Sequence, residues 1–365
     1  MSRATAALLA SLLVTGCDDA PASPAGEVRV DSLFSVVLSE TDTAYTGRPN
    51  SLAVDPESGD FLISDGFGDR VLRYDRTGTL TAIYGERGEG PGQFSSAGRV
   101  VAVLDGSVVA ADDGRSLLNV YARDDGAFVS AVPFHGTLGS IVADPDSGHI
   151  AWLGILDIVD GHSIGRWNRR TGHVEYGGAV PVEYRESNAL AGIFNRGFVL
   201  PAGEHVLVAF QGDDRVYRLA WPSGEVDTLR VPTRLRTAHP PDVVEAMRKE
   251  RAFPRLFSMI PALFGLYPLP EGRLLLVHFD QEIEGPSIEA EVYLSVLAPK
   301  RGTACIDLPL PLRTDVQPRL TVRGDTVFAV TQQVDEGGAT TTVEAFLLAG
   351  GPCTTPLAPS QAAGP

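Results

Sequence analysis

Basic residues are scarce in this chain relative to acidic ones. It carries 30 Lys and Arg against 46 Asp and Glu, a formal net charge of −16. No basic patch is there to neutralise phosphates, which excludes nucleic acid as a partner and opposes purely electrostatic binding to anionic lipid. Long apolar runs are scarce too. Beyond the N-terminus, residues 257–269 are apolar, but the run is short and Pro261 and Pro268 break it, so no mature segment suits a membrane-spanning helix. Cysteine occurs only at positions 17, 305 and 353. No Gly-x-Ser-x-Gly elbow marks a serine hydrolase. The loop Gly88-Glu-Gly-Pro-Gly-Gln-Phe94 lacks the Gly-Lys-Ser/Thr of a phosphate loop. The histidines, at 135, 149, 162, 173, 205, 239 and 278, form no His-x-His or His-x-x-x-His pair, so no zinc spacing is present. From these absences neither catalytic residues, nor a metal, nor a cofactor is expected.

What is present points to a folded, exported, β-rich chain. Hydrophobic residues make up 44% of the 365 positions and charged residues 21%, enough for a core and against wholesale disorder. The 39 Gly and 26 Pro suit many short strands joined by turns. Arg3 and the apolar run 6–14 lead into Leu13-Val14-Thr15-Gly16-Cys17. The run is too short to remain as a transmembrane helix and reads as a signal peptide, residues 1–16. Its end resembles a bacterial lipobox, which implies lipidation of Cys17 as the mature N-terminus. Residues 17–27 then form a small, acidic, Pro-containing tether. The anchor would hold the protein at the cell membrane or outer membrane, facing the periplasm or the exterior, as a monomer. Cys305 and Cys353 remain as an even pair in an oxidising compartment, and a disulfide is expected. Were both on matching outer strands of adjacent sheets, they would lie beyond the ~7 Å Cα separation a bridge allows. The bond therefore requires the C-terminal segment to cross to the fifth repeat.

Internal repetition is the main signal. Residues 50–84 read as four short strands separated by the turns Asp55-Pro-Glu-Ser-Gly59, Asp65-Gly-Phe-Gly-Asp69 and Asp75-Arg-Thr-Gly78. The first turn recurs at Asp144-Pro-Asp-Ser-Gly148 and, shortened, at Leu104-Asp-Gly106, Pro201-Ala-Gly203, Pro270-Glu-Gly272 and Arg323-Gly324. The last turn recurs at residues 121–126, 167–172, 221–224 and 299–302. Six first turns and five last turns imply six sheets, the sixth without its own fourth strand. The strand at 28–38 can supply it and close the ring. The expected fold is all-β: a six-bladed β-propeller of four-stranded antiparallel blades over residues 28–351, closed by the N-terminal strand, with a loose tail at 352–365. Between the fourth and fifth repeats, Asp242 followed by Glu245 resembles a capping box, and Pro254 ends the run. A short helix is predicted at about 242–252.

Gly88–Phe94 resembles the inter-blade motif of NHL-repeat propellers. Asp65 with Arg70-Val71, and Asp213-Asp-Arg-Val216, resemble the Asp…Arg-Val of those blades. The chain is similar to the six-bladed propeller lipoproteins of bacteria, which implies a fold rather than an activity. In that fold Phe94 would plug a neighbouring sheet. The aromatics Tyr74, Tyr121, Trp167 and Trp221 before the last turns are packing residues. The pairs Asp65/Arg70 and Asp213/Arg215 would brace hairpins. Ligands of propellers bind where the innermost strands begin, and those places hold Arg48, Asn50, Arg99, Ser140, Arg196, Phe264 and Arg319. Four arginines there would suit a carboxylate or phosphate through bidentate hydrogen bonds, unless each instead pairs with a loop carboxylate. The expected function is a membrane-tethered scaffold that binds an anionic small molecule or a protein partner. An interaction face near the 237–258 insertion is a further possibility. Glu284-Gly285-Pro286 resembles the metal-ligand motif of calcium-dependent lactonase propellers, although it lies in a hairpin of the fifth repeat. The alternative it implies is a calcium-dependent hydrolase or lyase working in the central funnel.

Overall fold

The computed structural model describes residues 28–41, 44–103, 106–135, 138–144, 149–154, 162, 164–178, 197–211, 214–221, 226–232, 262–284, 287–312, 318–335 and 338–357. The predicted helix at 242–252, the signal peptide, the tether, Arg196, Asp213 and His239 lie outside them.

Strand β1 is Arg29–Val37. Blade one follows as β2 (Pro49–Val54), β3 (Phe61–Asp65), β4 (Arg70–Tyr74) and β5 (Leu80–Tyr84). Blade two is β6 (Ala97–Val103), β7 (Ser107–Asp112), β8 (Leu117–Ala122) and β9 (Phe128–Pro133). Blade three is β10 (Leu138–Ala143), β11 (His149–Gly154), β12 (Ile164–Asn168) and β13 (Val174–Gly177). Blade four is β14 (Gly197–Ala202), β15 (His205–Phe210), β16 (Arg215–Ala220) and β17 (Val226–Arg230). Blade five is β18 (Ala262–Leu269), β19 (Arg273–Glu284), β20 (Ser287–Ala298) and β21 (Thr303–Pro309). Blade six is β22 (Arg319–Arg323), β23 (Thr326–Asp335) and β24 (Gly338–Ala349), and a last short strand, β25, is Thr355–Pro356. Each blade is antiparallel in sequence order, and β1 pairs with β24 as the fourth strand of blade six, Arg29 opposite Ala349 and Val37 opposite Thr342. The molecule is a six-bladed β-propeller.

Alternation within strands builds the ring. In β3, Phe61 and Ile63 join a buried cluster with Phe328, Val330 and Val343 of blade six. Leu62, between them, joins the opposite cluster with Val100, Val108 and Ala110 of blade two. In β7, Val108 and Ala110 face blade one, while Val109 and Ala111 face blade three. In β15, Val206, Val208 and Phe210 face blade three, while Leu207 and Ala209 face blade five. The middles of these second strands are apolar because both of their faces are interfaces, and a period of two sends successive side chains to opposite neighbours. The outermost strands are exposed, as in β9. Phe94, fully buried, sits in the cluster between blades one and two against Tyr121, its ring 5.9 Å away. Tyr74 and Tyr121 are buried as well, and Trp167 nearly so.

The turns are held by the chemistry their sequences carry. Asp55 Oδ1 accepts from the backbone N–H groups of Glu57 (2.8 Å) and Ser58 (3.1 Å), and Gly59 takes the left-handed φ of 77° that closes the turn. The C-terminal segment is not loose throughout. Residues 352–357 cross to blade five, where β25 pairs with β21 as a fifth strand and Leu357 N–H donates to Gly302 O at 2.9 Å. Cys305 and Cys353 are disulfide-bonded there, with Cα atoms 4.7 Å apart.

Candidate functional site

Four of the six innermost strands begin with a register shift: between Pro49 and Ser51, Ala97 and Val100, Leu138 and Ser140, and Leu263 and Gly265. A bulge bends a strand and re-aims a side chain, and bulges recur beside binding sites. Here they fall on Asn50, Arg99 and Phe264, all of which line a central cavity of about 400 Å³. That volume lies in the ~300–1,000 Å³ range of small-ligand sites. Ser140 and Arg319 also line it, as do Phe198 and Tyr267. Its walls are mainly apolar, built by Leu52, Ile141, Val199, Leu266, Leu320 and Val322.

The candidate residues are not equivalent. Arg48 is exposed, donates to Gly66 O at 3.2 Å and does not line the cavity. The bulge after Pro49 gives the inward position to Asn50 instead. Asn50 Nδ2 donates to Ala97 O of blade two at 2.8 Å. Ser140 Oγ accepts Val199 N–H at 2.9 Å and so ties blade three to blade four; Ser51 does the same for Val100 at 3.3 Å. Phe264 packs edge-on against Phe279 at 4.3 Å. Arg319 Nε donates to Pro49 O at 3.3 Å. Two of the four expected arginines therefore reach the cavity among the described residues, one on each side of Asn50.

Arg99 differs from the rest. It is half-buried, and it makes no hydrogen bond or ion pair among the described residues. Burial pulls its guanidinium down from the usual value, against the opposing fields of Asp113 and Tyr267. It remains a cation at any physiological pH. Tyr267, in the cavity lining, donates to Leu320 O at 2.7 Å. Burial pushes that phenol up to about 12, against the pull of Arg99 and Arg319. Asp113, on the β7–β8 turn, is exposed and not part of the cavity lining; the protein packed around it pushes its carboxyl above the usual carboxylate range, with Arg99 pulling it back.

No protein-family model matches the chain, and no curated protein matches it in sequence. Solved structures do. A Bacteroides fragilis protein described as exported shares 9% identity over 86% of this chain and 94% of its own, with a TM-score of 0.59. A member of the DUF4221 family from Bacteroides vulgatus shares 12% over 89% and 99%, with a TM-score of 0.62. Virginiamycin B lyase from Staphylococcus aureus shares 12% over 88% and 100%, with a TM-score of 0.51. At such identities the likeness is one of fold alone.

Glu284 ends β19, in a hairpin of two 12-residue strands, and its side chain lies outside what the structure describes. Asp65 is fully buried and accepts from the N–H groups of Gly47, Arg48, Phe67 and Gly68 at 2.9–3.1 Å, with Arg70 Nε 3.5 Å away, so it braces loops rather than binding a ligand. Two cavity-lining positions escaped the sequence reading. Phe198 could have been found by setting Phe198-Val199 against Asn50-Ser51. Tyr267 stands three residues beyond Phe264 in the same strand.

Proposed function

We propose that the protein is an exported, lipid-tethered binding propeller whose central cavity takes a small carboxylate-bearing ligand. The observation that carries this reading is Arg99: a partly desolvated guanidinium, without a hydrogen-bond partner among the described residues, facing an apolar cavity of ligand size. A guanidinium in low dielectric gains most from a bidentate carboxylate. Arg319 and Asn50 stand beside it. The lipobox-like sequence at Cys17 and the NHL-like motif support export and anchoring, and the Cys305–Cys353 bond fits an oxidising compartment. The same anchor would keep the propeller on a short tether facing the periplasm or exterior.

The test is a thermal melt of the wild type and Arg99→Ala with increasing hexanoate. A ligand at ~100 times its Kd stabilises the folded state by about 2.7 kcal/mol. A rise in Tm is expected for the wild type and its loss in Arg99→Ala. Equal rises in both proteins, or none in either, would overturn the reading.

A further inference from the structure

The wall of the central cavity follows three of the innermost strands along their length. It takes in β2 from Asn50 to Val54, β10 from Ser140 to Ala143 and β22 from Arg319 to Arg323. These strands belong to blades one, three and six, so the lined surface wraps around the axis instead of occupying one side of it. Four residue steps of ~3.3 Å put the Cα atoms of Arg319 and Arg323 about 13 Å apart along β22. The space is an elongated channel and not a shallow cup.

Its two ends differ in charge. Arg99 and Arg319 stand where the strands begin, and Arg99 is without a hydrogen bond or ion pair among the described residues. At the far end Arg323 is exposed, and its Nη2 donates to Pro56 O at 2.7 Å. Asp144 lines that end too, on blade three. One end therefore has cations alone, while the other holds both signs. Between them, over residues 52–54, 141–143 and 320–322, every lining side chain except Thr321 is apolar.

From this geometry we infer that the ligand is a linear monocarboxylate, a medium-chain fatty acid lying along the channel. Its carboxylate would rest on Arg99, and its methyl end would reach Val54, Ala143 and Val322. An extended chain gains ~3.6 Å for every three bonds, so about ten to twelve carbons fill the span. The inference rests on the carboxylate reading above and adds the length and shape of the apolar part. A compact carboxylate would leave the far half of the apolar wall uncovered. A dicarboxylate would bring its second anion toward Asp144, where Arg323 is already engaged. An alcohol of the same length would leave Arg99 partly desolvated without a partner.

Isothermal titration calorimetry on the full-length protein can separate these cases with butyrate, hexanoate, octanoate, decanoate, decanedioate and 1-decanol. Each added methylene is expected to tighten binding about fourfold up to decanoate. Decanedioate and 1-decanol are expected to bind roughly tenfold or more weakly than decanoate. Ala143→Phe and Val54→Phe would each fill the far end from a different wall. Either is expected to erase the advantage of decanoate over hexanoate while leaving hexanoate unchanged, and Arg99→Ala to weaken every carboxylate. If hexanoate binds as tightly as decanoate, if decanedioate matches decanoate, or if both Phe variants keep the advantage of decanoate, the fatty-acid inference fails while the carboxylate reading stands. If 1-decanol matches decanoate and Arg99→Ala changes nothing, both fail. Absence of binding by decanoate overturns the inference outright.

Discussion

Adjacent aspartates in this molecule do opposite jobs. Asp112 is buried and spends its oxygens on three backbone N–H groups and Arg115, as Asp65 does in blade one. Asp113 spends none. The two are indistinguishable as letters in a turn, because which of them faces the loop backbone depends on the pleat of β7 meeting the incoming chain at Ser95–Ser96. Asp112→Ala would strand several buried donors and a guanidinium, and it is expected to cost about 3 kcal/mol, read as a lower urea midpoint at unchanged m. Asp113→Asn, a change at an exposed carboxylate, is expected to stay within about 0.5 kcal/mol of the wild type in the same titration. A comparable loss in both variants would mean that Asp113 is as structural as its neighbour. Arg48 and Arg99 teach the same lesson. Both stand where an inner strand begins, but a one-residue bulge turns one outward and the other into the cavity.

Edges are the weak points of any sheet, since their N–H and C=O groups lack partners. Blade five covers its edge with β25, a strand of two residues that could not hold by itself. The Cys305–Cys353 bond fastens it across a sequence separation of 48. On the chain-entropy account a loop of that length stabilises the fold by up to about 4 kcal/mol. A Cys305→Ser/Cys353→Ser double variant is expected to lower the urea midpoint accordingly and to expose the β21 edge to amide hydrogen exchange. Faster exchange confined to residues 303–309 and 355–357 would locate the loss; unchanged exchange there would show that β25 holds without the bond. The need for the tail to cross was legible from turn spacing, because matching outer strands of adjacent blades cannot bring two Cα atoms close enough. The pairing register of β25 was not, since two residues carry no periodic pattern.

At the scale of the whole molecule, six apolar clusters fill the six interfaces, and each draws its side chains from two neighbouring blades. No blade has a core of its own, so stability belongs to the closed ring. β1 completes blade six from the far end of the chain, joining residues about 300 positions apart in sequence. Deleting residues 1–37 is expected to bare β24, lower Tm and cause concentration-dependent association, checked by thermal melting and light scattering. A monomeric variant with unchanged Tm would mean that the ring closes without that strand.

The sequence by itself determined the repeat, the number of blades, the turn chemistry and the provision of the missing strand by the N-terminus. These are local: alternation, Asp and Gly at turns, and spacing all act within a few residues. The tertiary structure decided which side chains meet at the axis. That depends on small bulges at four inner strands and on the juxtaposition of Asn50, Arg99, Phe264, Tyr267 and Arg319 from different blades. No short stretch of chain encodes their distances, because those distances exist only once six sheets have packed around a common axis.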